Sequence, residues 1–118
     1  MADFTPSTVP GCRVPHIWLE DGRSLYDAMG REFTLLRFDP EVAVDPIVEA
    51  ARLRRLPLAL LDIAPTEAGE PYKEALLLSR PDRHVAWRGN AVPVDPLALI
   101  DLVRGASPSG AWRLNDET

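Results

Sequence analysis

One cysteine, Cys12, occurs in the 118 residues. No internal disulfide can form, and neither a Cys-x-x-Cys redox pair nor a thiolate-rich zinc site is available. Histidines are also few, His16 and His84. Cys12 stands four residues before His16, but a metal would need further ligands from scattered carboxylates, so a metal site is set aside. Long apolar runs are missing: the longest stretch free of proline and charge is a few residues, far below the roughly 18 needed to span a bilayer. The opening "MADFTPSTVP" has neither the basic start nor the apolar core of an export signal. A cytoplasmic location is expected. There is no basic surplus, since 13 Lys and Arg stand against 18 Asp and Glu for a net charge of −5, and no segment combines basic residues with aromatics as a nucleic-acid face would.

What is present suits one ordinary domain, because 46% apolar residues in a chain of this length can bury roughly two thirds of the unfolded surface. Residues 1 to 15 carry Pro6, Pro10, Gly11 and Pro15, a density that suits an extended arm. In "HIWLEDGRSLYDAMG", Asp-Gly between short apolar groups predicts a hairpin, and "FTLLRF", 33 to 38, predicts the first core strand. "VDPIVEAARLRRLP" predicts a helix with Asp45 as N-cap, Pro46 at the first helical position, and Arg52, Arg54 and Arg55 where the helix dipole favours cations. "LALLDIA", 58 to 64, is nearly continuous apolar sequence, as a strand covered on both faces requires.

"EALLLSRPDRHVAWRG" predicts two strands joined by Arg80-Pro81-Asp82-Arg83, with proline at the second turn position. "VDPLALIDLVRG" repeats the helix opening, with Asp95 as N-cap, Val94 stapling onto Leu99 and Gly105 as stop. The order is β-α-β then β-β-α after an arm and hairpin, which is an α/β, thioredoxin-like fold. The expected layout is an arm over 1–15, the thioredoxin-like domain over 16–105 and a polar tail over 106–118. A redox-active member would carry its cysteines between the first strand and the next helix, at a helix N-terminus that lowers thiolate pKa. Here that stretch reads "DPEVAVDP", so only the scaffold is expected.

"TVPGCRVPHIWL", "DGRSLYDAMG", "FTLL" and "RPDRHVAWRG", four blocks in order from about Thr8 to Gly105, resemble the C-terminal domain of flavin-dependent aromatic-ring hydroxylases. That group includes the phenol-type and hydroxyphenylpropionate-type monooxygenases. The resemblance implies a parent that consumes NAD(P)H, with FAD held on a GxGxxG strand-turn-helix in its N-terminal region and a middle domain enclosing the phenolic substrate. This chain has no GxGxxG, so no flavin or substrate residue carries over to it, and catalytic, cofactor and metal residues are all expected to be absent. The implied partners are the parent's flavin and substrate domains, or a second copy. The alternative is a free-standing interaction or ligand-binding module using the vestigial cleft near "DPEVAVDP".

His84 has no serine or cysteine nearby to activate and reads as a hairpin histidine bonded locally, with Asp82 serving turn amides. Trp87 alternates with Val85 and is expected beside it in the core. The residues expected at an interface are Trp18, Arg80, Arg83, Arg88 and Trp112, since arginine and tryptophan are favoured there.

Overall fold

The computed structural model describes residues 8–64, 68 and 72–105. Its elements are α1 (Leu25–Met29), β1 (Phe33–Arg37), α2 (Asp45–Leu53), β2 (Leu58–Asp62), β3 (Leu76–Ser79), β4 (Val85–Gly89) and α3 (Pro96–Gly105). The four strands form one sheet in the order β2-β1-β3-β4. This is the thioredoxin-like arrangement expected from the sequence: a β-α-β unit leaves one side of β1 open, and the following hairpin pairs β3 with it. The described residues divide into two compact units, one reaching to Val42 and resuming over Ala59–Ala91, the other comprising Ala43–Leu58 and residues 92–105.

In the first unit, β3 runs antiparallel to β1, with Leu35 opposite Leu78 and Leu36 opposite Leu77. All four residues of β3 are buried, as are Thr34, Leu35 and Leu36 of β1. On one face, Leu36 and Leu77 join Val14, Leu25, Met29, Phe38, Ile63, Tyr72 and Val85 in the core. Thr34 tolerates full burial because its hydroxyl donates to the Met29 carbonyl at 3.0 Å, which removes the penalty of an unpaired buried oxygen.

The strand expected to be covered on both faces, β2, is instead an outer strand, with Leu60 at 42% exposure. β3, seated between two strands, is instead the strand buried along its whole length. An apolar run reports burial without saying which strand becomes central.

The Asp-Gly turn forms, with the Leu19 amide donating to Arg23 and the Gly22 amide to Leu19. A short antiparallel pairing closes on it, with Trp18 bridged to Ser24 and the Leu25 amide donating to Ile17, and helix α1 then takes Leu25 and Tyr26, which were expected on the second hairpin strand. The Ser24 Oγ accepts from the amides of Tyr26 and Asp27 at 3.1 and 3.4 Å, an N-cap that satisfies orphan donors of a first turn. Gly30 ends the helix at φ 71°, a conformation glycine adopts without penalty.

β4 carries a bulge. Leu78 faces Trp87, but Ser79 faces Val85, so Ala86 is the extra residue. Consecutive β3 residues point to opposite faces, and Val85 and Trp87 therefore do too. The shared face expected of them is corrected: Val85 enters the core, while Trp87 lies half-buried over Gly89, where an added Cβ would stand 2.6 Å from the ring. Along the outer edge of β4 runs the arm, with the Gly11 amide donating to Val85, the Val85 amide to Cys12 and the Val14 amide to Arg83, each at 2.8 Å.

In the second unit α2 contacts α3, and Ile47, Ala50, Ala51, Leu99 and Ile100 are buried. Asp45 is the first helical residue and not the cap; Val44 holds the cap position and offers no side-chain oxygen. Asp95 does cap α3, accepting from the Ala98 amide at 3.1 Å. The expected staple is absent, since Val94 is fully solvent-exposed. The three arginines after α2 separate: Arg52 pairs with Glu49, Arg54 forks onto Asp101 of α3 at 2.8 and 3.4 Å, and Arg55 turns left-handed at φ 57° to end the helix.

Candidate functional site

The turn predicted at 80–83 forms as expected, with the Arg83 amide donating to Arg80 and the Arg80 amide to His84. Arg83 then adopts φ 66°, closing a three-residue hairpin loop whose left-handed position usually carries glycine. Asp82 serves the turn, accepting from the His84 amide at 3.1 Å and pairing with Arg80 at 2.6 Å. Among the described residues the polar contacts of the His84 ring are with Asp82, through its carbonyl at 3.1 Å and its carboxylate at 3.3 Å. Among the described residues no nucleophile is hydrogen-bonded to the ring, and His84 stands directly after the turn.

Beside this turn the arm, α1 and the hairpin bring five side chains together. Trp18, 68% exposed, stands edge-on to His16 at 4.9 Å, and His16 edge-on to Tyr26 at 5.0 Å. The guanidinium groups of Arg13 and Arg83 lie over the Tyr26 ring at 5.2 and 5.3 Å from its centre, the attraction of a cation for a π face. Tyr26 is fixed from both ends: its hydroxyl donates to the Val14 carbonyl at 2.6 Å and its own carbonyl accepts from Arg83 at 3.2 Å. Neither Arg13 nor Arg83 meets a carboxylate among the described residues. The Nε of Arg83 is buried without a partner there.

The expected interface residues thus part company. Trp18 and Arg83 share this surface. Arg80 is neutralised by Asp82, and Arg88 belongs to the arm's anchorage, donating to Thr8 Oγ1 at 2.7 Å with Glu74 at 3.7 Å. Trp112 lies outside the described residues. Tyr26 and Arg13 were missed by sequence reasoning, because a hairpin reading of 17–26 placed Tyr26 on a strand. Ser24 as a helix cap was the available signal.

A shallow groove of about 310 Å³ lies elsewhere in the same unit, lined by Phe38, Asp39, Tyr72, Lys73, Glu74 and Asn90 among others. The Phe38 and Tyr72 rings sit 4.9 Å apart at its wall. Tyr72 donates to the Pro15 carbonyl, and burial pushes its phenol well above the usual value. Its hydroxyl therefore stays protonated and anchors the arm. Among the described residues no cluster of His, Cys, Asp and Glu could hold a metal ion, and no helix is long and apolar enough to cross a membrane.

The β1–α2 junction does not suit a flavin dinucleotide. Its cradle needs a glycine-rich turn from strand to helix with free amides at the helix start. The turn from β1 to α2 contains no glycine, and Pro46, the second helical residue, has no N–H to offer.

The scaffold is thioredoxin-like, its β1–α2 junction carries no thiol, and an aromatic–guanidinium surface lies at one edge of its sheet. Residues 7–105 match the family described as "Aromatic-ring hydroxylase, C-terminal", and the chain belongs to that family. It is 37% identical over 95 residues to the FAD-dependent monooxygenase apdD of Emericella nidulans, a match covering 75% of this chain and 15% of that protein. With phenol 2-monooxygenase of Pseudomonas sp. the identity is 31%, over 89% of this chain and 20% of that one. Among solved structures, RebC soaked with chromopyrrolic acid superimposes with a TM-score of 0.82 at 40% identity, over 90% of this chain and 20% of RebC. The chain thus spans about a fifth of the length of these relatives.

Proposed function

We propose that this chain is the redox-inactive, association-forming C-terminal domain of an FAD-dependent, NAD(P)H-consuming aromatic hydroxylase. The flavin and substrate regions of that enzyme are its partners, and catalysis belongs to them. The carrying observation is where the thiol lies. The only cysteine, Cys12, sits on the arm outside β4, three strand spacings from β1, or about 14 Å, whereas thiol chemistry on this scaffold belongs beyond the end of β1. The proposed setting is the cytoplasm, where a lone thiol stays reduced. The surface built from Trp18, His16, Tyr26, Arg13 and Arg83 is the proposed docking face, since tryptophan, tyrosine and arginine are enriched among the residues that dominate the energetics of protein interfaces.

Purified chain should be colourless, should take up no FAD in an absorbance titration, and should not reduce insulin disulfides in a turbidity assay. Stoichiometric flavin binding or thiol-dependent turnover would overturn the reading.

A second reading, a free-standing ligand-binding module, draws support from the groove, because Asp39 at its rim opens the "DPEVAVDP" stretch. The sequence of the full transcript decides between them: an FAD domain in the same frame supports the first.

A further inference from the structure

Arg13 and Arg83 lack counterions on a chain whose net charge is −5. The hairpin arginines next to them are neutralised, Arg80 by Asp82 and Arg88 by Glu74. Arg13 and Arg83 turn instead to one ring, with guanidinium groups 5.2 and 5.3 Å from the centre of Tyr26. Two like charges are thus held within about a Debye length, roughly 10 Å, where salt screens their repulsion only in part. Both keep donors in reserve. Arg13 points its Nε at the Tyr26 hydroxyl at 3.3 Å, and among the described residues its two terminal amino groups, half of the fork that grips a carboxylate, have no hydrogen-bond partner. Arg83 gives one terminal amino group to the Tyr26 carbonyl at 3.2 Å, while its Nε is buried without a partner among the described residues. A buried unpaired donor and a left-handed backbone at φ 66° are both costs. Glycine at this position would close the same turn with neither, so the turn does not account for the arginine.

From this arrangement we infer that the surface takes an acidic segment of the enzyme's flavin or substrate region, which lays carboxylates on the Arg13 and Arg83 guanidinium groups and an apolar side chain against Trp18. This names the chemistry of the partner for the docking face proposed above and rests on that reading. Charge complementarity carries it, because a carboxylate supplies the missing counterion and accepts from donors that nothing in the described residues satisfies. A second copy suits the face poorly, since isologous pairing brings together the uncompensated arginines of both copies. A small anion would neutralise the arginines and leave Trp18, 68% exposed, in water. A peptide segment answers both features. Opposite charges across the contact also fix its response to salt, which should weaken it.

Hydroxyl-radical footprinting of Trp18, read by mass spectrometry, tests this on the 118-residue chain and on the full-length enzyme that contains it. In the isolated chain Trp18 should oxidise as an exposed ring at every concentration, and in the full-length enzyme roughly tenfold more slowly, as a ring enclosed in an interface. Protection should fall in the order Arg13→Lys, Arg13→Gln, Arg13→Glu, and Arg83→Glu should remove most of it. In the unaltered enzyme, raising salt from about 0.05 to about 0.5 M should also erode it, which keeps the test decisive if a variant does not fold. Equal oxidation in chain and enzyme, or protection indifferent to both salt and the charge at position 13, overturns the inference. So does protection of the isolated chain at rising concentration, the sign of a second copy, or by phosphatidylserine vesicles, the sign of a membrane face. The full transcript separates the two failures: a chain without a flavin region defeats the wider reading and this one with it, whereas a flavin-bearing enzyme with Trp18 unprotected defeats this inference alone.

Discussion

Replacing Gly89 with alanine sets two effects of opposite sign against each other. Glycine inside a strand costs about 0.5–1 kcal/mol relative to alanine because more backbone freedom is lost on folding. Gly89 does not need left-handed backbone, so propensity alone predicts that Gly89→Ala stabilises. Packing predicts the reverse. The new Cβ would meet the Trp87 ring at 2.6, 3.1 and 3.4 Å, and the ring is a rigid plate with only two torsions to yield. Overpacking of this kind costs about 1–3 kcal/mol. The clash should outweigh the gain in backbone entropy, leaving the variant about 1–2 kcal/mol less stable, or roughly 4 °C lower in Tm per kcal/mol for a chain of this size. Urea denaturation followed by far-UV circular dichroism measures the difference, and a double-mutant cycle identifies its cause. In a Trp87→Ala background the clash is gone, so Gly89→Ala should become neutral or stabilising, with a coupling of about 2 kcal/mol between the positions. A stabilised single variant, or a cycle with no coupling, would refute the placement of Trp87 over Gly89.

Val14, fully buried although it lies on the arm, should cost about 2–3 kcal/mol when cut to alanine, from two lost methyl groups plus the cavity they leave; chemical denaturation measures this, and a loss under about 0.5 kcal/mol would detach the arm from the core. At Arg83, φ 66° strains any side chain while the guanidinium holds Tyr26. Arg83→Gly relieves the strain and Arg83→Ala keeps it, so thermal melts should rank alanine below glycine by about 1 kcal/mol. Asp101 is held below the usual carboxylate value of 3.8 chiefly by its hydrogen bond to Arg54, with Arg104 adding to it. A depressed carboxylate stabilises above its unfolded pKa and loses that contribution as pH falls through the folded one. Asp101→Asn should therefore lower stability slightly at pH 7, and melts of variant and parent should converge below about pH 4; a gap that widens in acid would contradict the pairing.

Chemistry carried by single residues and their near neighbours was legible in the sequence. Asp95 caps α3 because an aspartate oxygen reaches an amide three residues on, and Pro81 with Asp82 makes the turn because proline presets φ and the carboxylate reaches the His84 amide. The alternation of strand and helix signals sufficed for the thioredoxin-like order. Where sequence reasoning went astray, the deciding contact was not local. The Asp-Gly hairpin is present but stops at the Trp18–Ser24 bridge, because the Ser24 cap and burial of Leu25 and Met29 turn the following residues into a helix. The faces of Val85 and Trp87 depended on a one-residue slip against β3, which period-two alternation cannot reveal. That the apolar run at 58–62 lies outermost, while Arg13, Tyr26 and Arg83 converge from arm, helix and hairpin, was decided by strand pairing in three dimensions. Composition determines how much surface must be buried, but only the completed sheet determines which edge is left uncovered.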